Sequence, residues 1–253
     1  MFKKFRLLLL SSATAAFLFG SHQASFAIST VEGFESGSIT GYKLETEGSG
    51  SFQVITGNAR EGSKFLRITK NKGARRYEIQ LAEYSKPTEL WYGFSMRLSP
   101  EMQSPDDFLI ISQWHNFPDN GEDWHKPDAF IRLNSDYSVG ISNHWDSRRI
   151  TPSSDEGGEG KRSDIPLLTL NRGQWYDFVV HYKYSSGGDG LIEVYGAPMG
   201  SKVQLLQKLT GPNSFNDARG QFRVGLYADK ELSGYIDYDA IRFGNSFNDV
   251  LPK

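Results

Sequence analysis

The chain has 253 residues, 38% hydrophobic and 13% aromatic, with 26 glycines, no cysteine and a formal charge of −2. That apolar content supplies a core and excludes wholesale disorder, a disulfide-stapled mini-protein and a collagen-like fibre. The missing cysteines exclude thiolate zinc sites and cysteine nucleophiles, and the charge lacks the basic surplus of a nucleic-acid binder.

In chain order, Met1–Ala27 comes first, with basic Lys3, Lys4 and Arg6, an apolar run from Leu7 to Phe19, and Ser25-Phe26-Ala27 at its end. This pattern predicts a secretory signal cleaved after Ala27, and a secreted protein with no membrane anchor after cleavage. The run is short for a membrane span and is broken by Ser11, Ser12 and Thr14. Cleavage would remove three cations and no acids, leaving 25 basic against 30 acidic residues, or −5.

Residues 28–253 read as one domain, with no linker, repeat or low-complexity tract. Short runs with a period of two follow one another, each closed by Gly, Pro, Asn, Asp or Ser. They are Lys64–Lys70, Arg76–Tyr84, Leu90–Ser99, Phe108–His115, Ala129–Asn134, Tyr137–Asn143, Trp175–Tyr184, Gly190–Tyr195, Val203–Leu209, Gln221–Ala228 and Tyr235–Phe243. No stretch holds a helical period over three turns. The prediction is an all-β jelly-roll sandwich of two antiparallel sheets. Nothing in it suggests an obligate dimer, so a monomer is expected.

The period of two also assigns faces. Tyr92, Phe94, Met96 and Leu98 share a core face, as do Phe222, Val224 and Leu226. Outward sets are Arg76, Glu78 and Gln80; Gln113 and His115, with Leu109 and Ile111 on their side of the strand; and Arg223 and Tyr227. Gly225, between the last two, predicts a gap where a ligand approaches closely. Asn116–Asp128 and Asp146–Pro166 are expected as long loops. The first holds Trp124 and His125; Trp145, beside His144, opens the second, and Arg148, Arg149, Lys161 and Arg162 lie in it. The tryptophans could stack on sugar rings, and the cations could dock a polyanion. His144, His125 and His181 are weaker candidates, equally explained by solvated strands and loops.

A His, a Tyr, an Arg and a Gln on one sheet face suit β-elimination in uronic acid polymers. The proton at C5 is removed and the glycosidic oxygen leaves C4, while Arg and Gln donors stabilise the enolate-like charge. No cofactor is required. At these residues the chain resembles the heparin lyase I and glucuronan lyase group of jelly-roll polysaccharide lyases. The resemblance rests on Gln113-Trp114-His115, Arg76-Tyr77-Glu78, Leu90–Ser95, Trp175–Val179, Gly188–Val194 and Phe222–Tyr227, in the same order. Jelly-roll alginate lyases carry a related trio of strands, with Ile or Val usual in place of Trp114. The resemblance implies His115 as base or charge stabiliser, Tyr227 as acid, and Gln113 and Arg76 as partners of the substrate carboxylate. Glu78, Trp124, Trp145, Arg148 and Arg149 would border the substrate, as would Arg223, which stands where these families usually have Lys. Phe34–Gly37 and Ile236–Asp239 resemble terminal strands that hold a structural calcium, with Glu35, Asp237 and Asp239 as ligands. The partner expected is an anionic polysaccharide. A carbohydrate-binding module or lectin on the same fold is the competing class, and a glycoside hydrolase ranks last because no second acid faces Glu78.

Overall fold

The computed structural model describes residues 32–86 and 88–253; the expected signal, Met1–Ala27, lies outside them. Fourteen strands follow in chain order: β1 (Lys43–Glu47), β2 (Gly50–Thr56), β3 (Lys64–Lys70), β4 (Arg76–Ser85), β5 (Glu89–Leu98), β6 (Leu109–Phe117), β7 (Ala129–Leu133), β8 (Ser138–Trp145), β9 (Gly160–Thr169), β10 (Trp175–Lys183), β11 (Leu191–Pro198), β12 (Gln204–Thr210), β13 (Arg219–Ala228) and β14 (Gly234–Gly244). A single-turn helix, α1 (Phe247–Val250), packs on the last strand. Among the described residues no helix is long and apolar enough to cross a membrane.

The strands form two seven-stranded sheets, β1-β4-β13-β6-β7-β8-β9 and β12-β11-β10-β5-β14-β3-β2, and every pairing between named strands is antiparallel. Alternate side chains of each strand turn inward, so the sheets bury one shared core. Tyr92, Phe94, Met96 and Leu98 of β5 meet Trp114 of β6 and Phe222, Val224 and Leu226 of β13 there, as the alternation predicts. The jelly-roll sandwich is the observed fold.

Three strands went unpredicted, β1, β2 and β9. β1 and β9 are edge strands with mostly half-exposed or exposed residues, so no apolar alternation marks them. β9 also takes up the end of the expected loop Asp146–Pro166. β2, an edge of the second sheet, is likewise half-exposed.

Bulges correct the face assignments. Against β7, β6 carries one extra residue at Ile111, since Ile110 opposes Arg132 and Ser112 opposes Ile131. Leu109 and Ile111 therefore point into the core, while Ile110 joins Gln113 and His115 on the outer face. Against β6, β13 is bulged between Val224 and Tyr227. Gly225 sits in that bulge at φ +149°, and a Cβ there would stand 2.2 Å from the Tyr77 carbonyl oxygen. Its bare side admits the neighbouring strand, so it is not the ligand gap expected from sequence. The Tyr238 hydroxyl, from the opposite sheet, lies 2.7 Å from the Ile111 carbonyl oxygen and 3.0 Å from that of Gly225. It supplies a donor where the ladder is interrupted.

Gly225→Ala is expected to destabilise the protein by about 2–4 kcal/mol through the clash and the disfavoured φ, and Tyr238→Phe by about 1–3 kcal/mol through the buried carbonyls it leaves unpaired. Urea unfolding checks both, as a lower midpoint at unchanged slope.

Candidate active site

Three adjacent strands of the first sheet, β4, β13 and β6, bring the sequence-predicted side chains together. Register sets Arg76 opposite Tyr227 and Arg223 opposite Gln113. Their outer face floors a cavity of about 770 Å³, walled by β7, β8 and the segment before β7. Arg76, Gln113, His115, Trp124, Arg223 and Tyr227 all line it.

His115 is 9% exposed, and its Nδ1 lies 3.0 Å from the carbonyl oxygen of Asn116. A carbonyl only accepts, so Nδ1 carries the proton and Nε2 keeps a free lone pair. Burial, with the charge of Arg223 added, pushes the imidazole down to about 3, and it is neutral at ordinary pH. Trp124, 55% exposed, sets its ring edge-on to His115 with centroids 5.3 Å apart.

Tyr227 is enclosed by cations. The Arg76 guanidinium lies over its ring at 4.1 Å, and an Arg75 nitrogen lies 3.4 Å from its hydroxyl. Phe108 packs edge-on against the same ring.

Buried charge links these residues. Arg223 binds both carboxylate oxygens of Glu45, and Arg76 reaches the same group at 3.1 Å. Glu78, fully buried, pairs with Arg76 at 3.2 Å and accepts an N–H from Gln113. Burial pushes the Glu78 carboxyl up and the Arg223 guanidinium down, each opposed by the other's charge. Glu78 thus orients Arg76 and Gln113 from below, and it is not among the residues bordering the cavity.

Sequence reasoning missed Glu45 and undervalued His144. Glu45 comes from the edge strand that carried no pattern. His144, read as one of several weak candidates, lines the cavity with Nδ1 donating to the Pro127 carbonyl oxygen at 3.0 Å, and burial lowers its pKa.

Other predicted residues lie elsewhere. Trp145, next to His144, points to the opposite face of β8 and is covered by the Arg162 guanidinium at 4.9 Å. Arg148 is spent on Asp146 and Asp155, and neither it nor Arg149 borders the cavity. His181 lies between Glu89 and Glu193 on the other sheet, stacked on Trp91. The expected calcium ligands are also committed. Asp237 pairs with Arg67 and Arg97, Glu35 accepts from the backbone of Ser63 and Lys64, and Asp239 accepts from the backbone of Arg60, Glu61 and Ala240. Among the described residues these three carboxylates do not bring one ligand atom each within mutual metal-binding reach. His125 does border the cavity, and with Glu122 and Asp217 it forms a buried cluster within the cavity wall.

A family model described as polysaccharide lyase matches residues 34–242, and the chain belongs to that family. It is an enzyme of the polysaccharide lyase class, which sets aside the lectin and hydrolase alternatives. The fold is similar to that of an endo-β-1,4-glucuronan lyase from Trichoderma reesei, with TM-score 0.71, 21% identity, and 90% of this chain and 99% of that one covered. It is also similar to an alginate lyase from Aplysia kurodai, with TM-score 0.54, 11% identity, and 76% and 86% covered. A family 7 alginate lyase solved with a substrate gives TM-score 0.55, 10% identity, and 81% and 92% covered. No curated protein matches the sequence.

Because His115 binds its proton at about pH 3 when folded and about 6.5 when unfolded, it stabilises the fold fully only above about 6.5. Its contribution is lost progressively as pH falls from there towards 3. In NMR titration the His115 ring resonances should stay in the neutral form from pH 8 to pH 5; a midpoint near 6.5 would overturn the buried, neutral assignment.

Proposed function

We propose that the cavity binds an anionic polysaccharide containing uronic acid and cleaves it by β-elimination. The observation that carries this is the meeting, in one cavity, of a neutral imidazole with a free Nε2 and a tyrosine flanked by two guanidiniums. Five cations (Arg75, Arg76, Lys126, Arg132 and Arg223) and three carboxylates (Glu45, Asp107 and Glu156) line it. A local positive surplus suits a polyanion even though the chain as a whole is acidic.

A uronate at the reacting position sets its carboxylate against Gln113, Arg76 and Arg223. These arginines are already partly neutralised by Glu45 and Glu78, which holds their donors in place without leaving uncompensated buried charge. His115 Nε2 takes the C5 proton. The C5–H electron pair becomes the C4–C5 double bond, the C4–oxygen bond breaks, and Tyr227 gives its hydroxyl proton to the departing oxygen. The enolate-like charge develops beside the guanidiniums, where a single well-placed donor contributes roughly 3 kcal/mol. His115 is a weak base in the free protein because it is buried, and a second positive charge beside Arg223 adds to that cost. The incoming carboxylate offsets that cation and favours the imidazolium as it forms. Trp124 offers an exposed ring at the rim for sugar stacking. The N-terminal signal fits such an enzyme, exporting it to where polysaccharides are met.

Incubation with glucuronan, heparin, heparan sulfate, alginate and hyaluronan tests the proposal through the ultraviolet absorbance of unsaturated uronate ends. Absorbance should rise with at least one polymer, and His115→Ala and Tyr227→Phe should each lower kcat by about 10²–10⁴-fold. Binding without absorbance, or new reducing ends without it, would overturn the elimination. Full turnover by both variants would overturn the site assignment.

A further inference from the structure

The wall of the cavity holds a second cluster that the elimination does not use. Glu122, His125 and Asp217 bring one ligand atom each to within 4.8 Å of one another. His125 is 7% exposed, Asp217 is 4% exposed, and the Glu122 side chain is 1% exposed. His125 Nε2 stands 3.4 Å from Glu122 Oε2, and His125 Nδ1 stands 3.6 Å from Asp217 Oδ2. Two ligands about 2.1 Å from a tetrahedral metal stand about 3.4 Å apart, so the imidazole–glutamate spacing already fits an ion between them.

Two further observations point to a ligand. Asp217 Oδ2, His125 Nε2 and Asn116 Oδ1 are buried without a hydrogen-bond partner, and buried polar atoms in such a state are rare. The Asn116 amide reaches His125 Nδ1 at 2.9 Å, so its oxygen is near the same cluster. The charge is also unbalanced. Asp128, wholly buried beside His125, pairs with Lys86 at 2.8 Å, and the same ammonium is the cation felt by Asp217, so one lysine is shared among the buried acids around His125. Two buried carboxylates facing one imidazole favour a divalent cation.

We propose that Glu122, His125 and Asp217 bind a divalent transition-metal ion, zinc by its ligand chemistry, that staples the cavity wall. One imidazole and two carboxylates form a three-ligand zinc set, and water completes four-coordination; with Nε2 on the ion, Nδ1 carries the proton and the Asn116 amide, turned to present its oxygen, accepts it and orients the ring. Calcium, which takes six to eight oxygens, is poorly served by an imidazole and so few oxygens. Supporting bonds orient the set, because Glu122 accepts from the backbone of Asp119 and Thr151, and His125 stacks on Phe215 at 4.6 Å. His125 borders the substrate cavity, while Asp217 borders a separate surface cavity of about 720 Å³, which gives the ion a route in. The staple joins the segment carrying Trp124 to the segment before β13, and so fixes the ring that stands against His115.

The rival occupant is a proton on Asp217, whose carboxyl burial pushes up to about 8. The untagged protein, stripped with EDTA and dialysed against zinc chloride, separates the two. Mass spectrometric metal analysis should find about one zinc per chain, and zinc at one hundred times its Kd should raise Tm by about 5–10 °C. Asp217→Asn keeps the shape and removes a buried charge. It should fold at least as stably as the stripped wild type, yet bind less than a tenth as much zinc and show no Tm rise. Glu122→Gln should lose the rise as well. Failure of the wild type to retain zinc, or an equal Tm rise in wild type and Asp217→Asn, would overturn the site.

Discussion

The Tyr238 hydroxyl crosses the sandwich to reach the carbonyl oxygens of Ile111 and Gly225, where two neighbouring strands each depart from regular pairing. The placement of the outer-face side chains depends on those two irregularities. A side chain in a strand changes face with every residue inserted, so a bulge decides which set of residues meets. With it, Ile110, Gln113 and His115 face outward beside Arg223 and Tyr227, while Leu109 and Ile111 fill the core. Gly225 makes the arrangement sterically open, since the Tyr77 carbonyl occupies the place of a Cβ.

Electrostatics then builds on that geometry. The chain is acidic in sum, yet Arg76 and Arg223 stand buried at the centre of one sheet, held by Glu45 and Glu78. The paired carboxylates keep the guanidiniums oriented, and the neutral His115 beside them avoids a further buried cation. The same trade recurs within the wall, where Lys86 answers Asp128 and the remaining acids cluster on His125. Local charge, set by which strands are neighbours, governs what the cavity attracts more than net charge does.

Most buried strands were legible because both faces of each carry information, apolar inward and distinctive outward. Gln113 could be paired with His115, and Arg223 with Tyr227, because alternation holds over the few residues separating them, whereas grouping all five across three strands rested on the resemblance. Glu45 was not legible, as its edge strand has two polar faces and looks like a loop. Trp145 and Arg148 were assigned to the substrate because they sit in a polar stretch, but a tryptophan beside a cation can equally cover structure, as Arg162 over Trp145 does. Asp237 and Asp239 looked like free strand-end acids, whereas their partners, Arg67, Arg97 and the backbone near residue 60, come from distant parts of the chain.

By itself the sequence determined the all-β sandwich, the core faces of its inner strands and the residue types available for chemistry, because a period of two and local composition are properties of short segments. Only the tertiary structure decided that β4, β13 and β6 are neighbours, where their bulges fall, and which acid stands against which arginine. Those outcomes depend on pairings between segments more than one hundred residues apart, such as Arg76 with Tyr227, and no local pattern encodes the register of a distant partner.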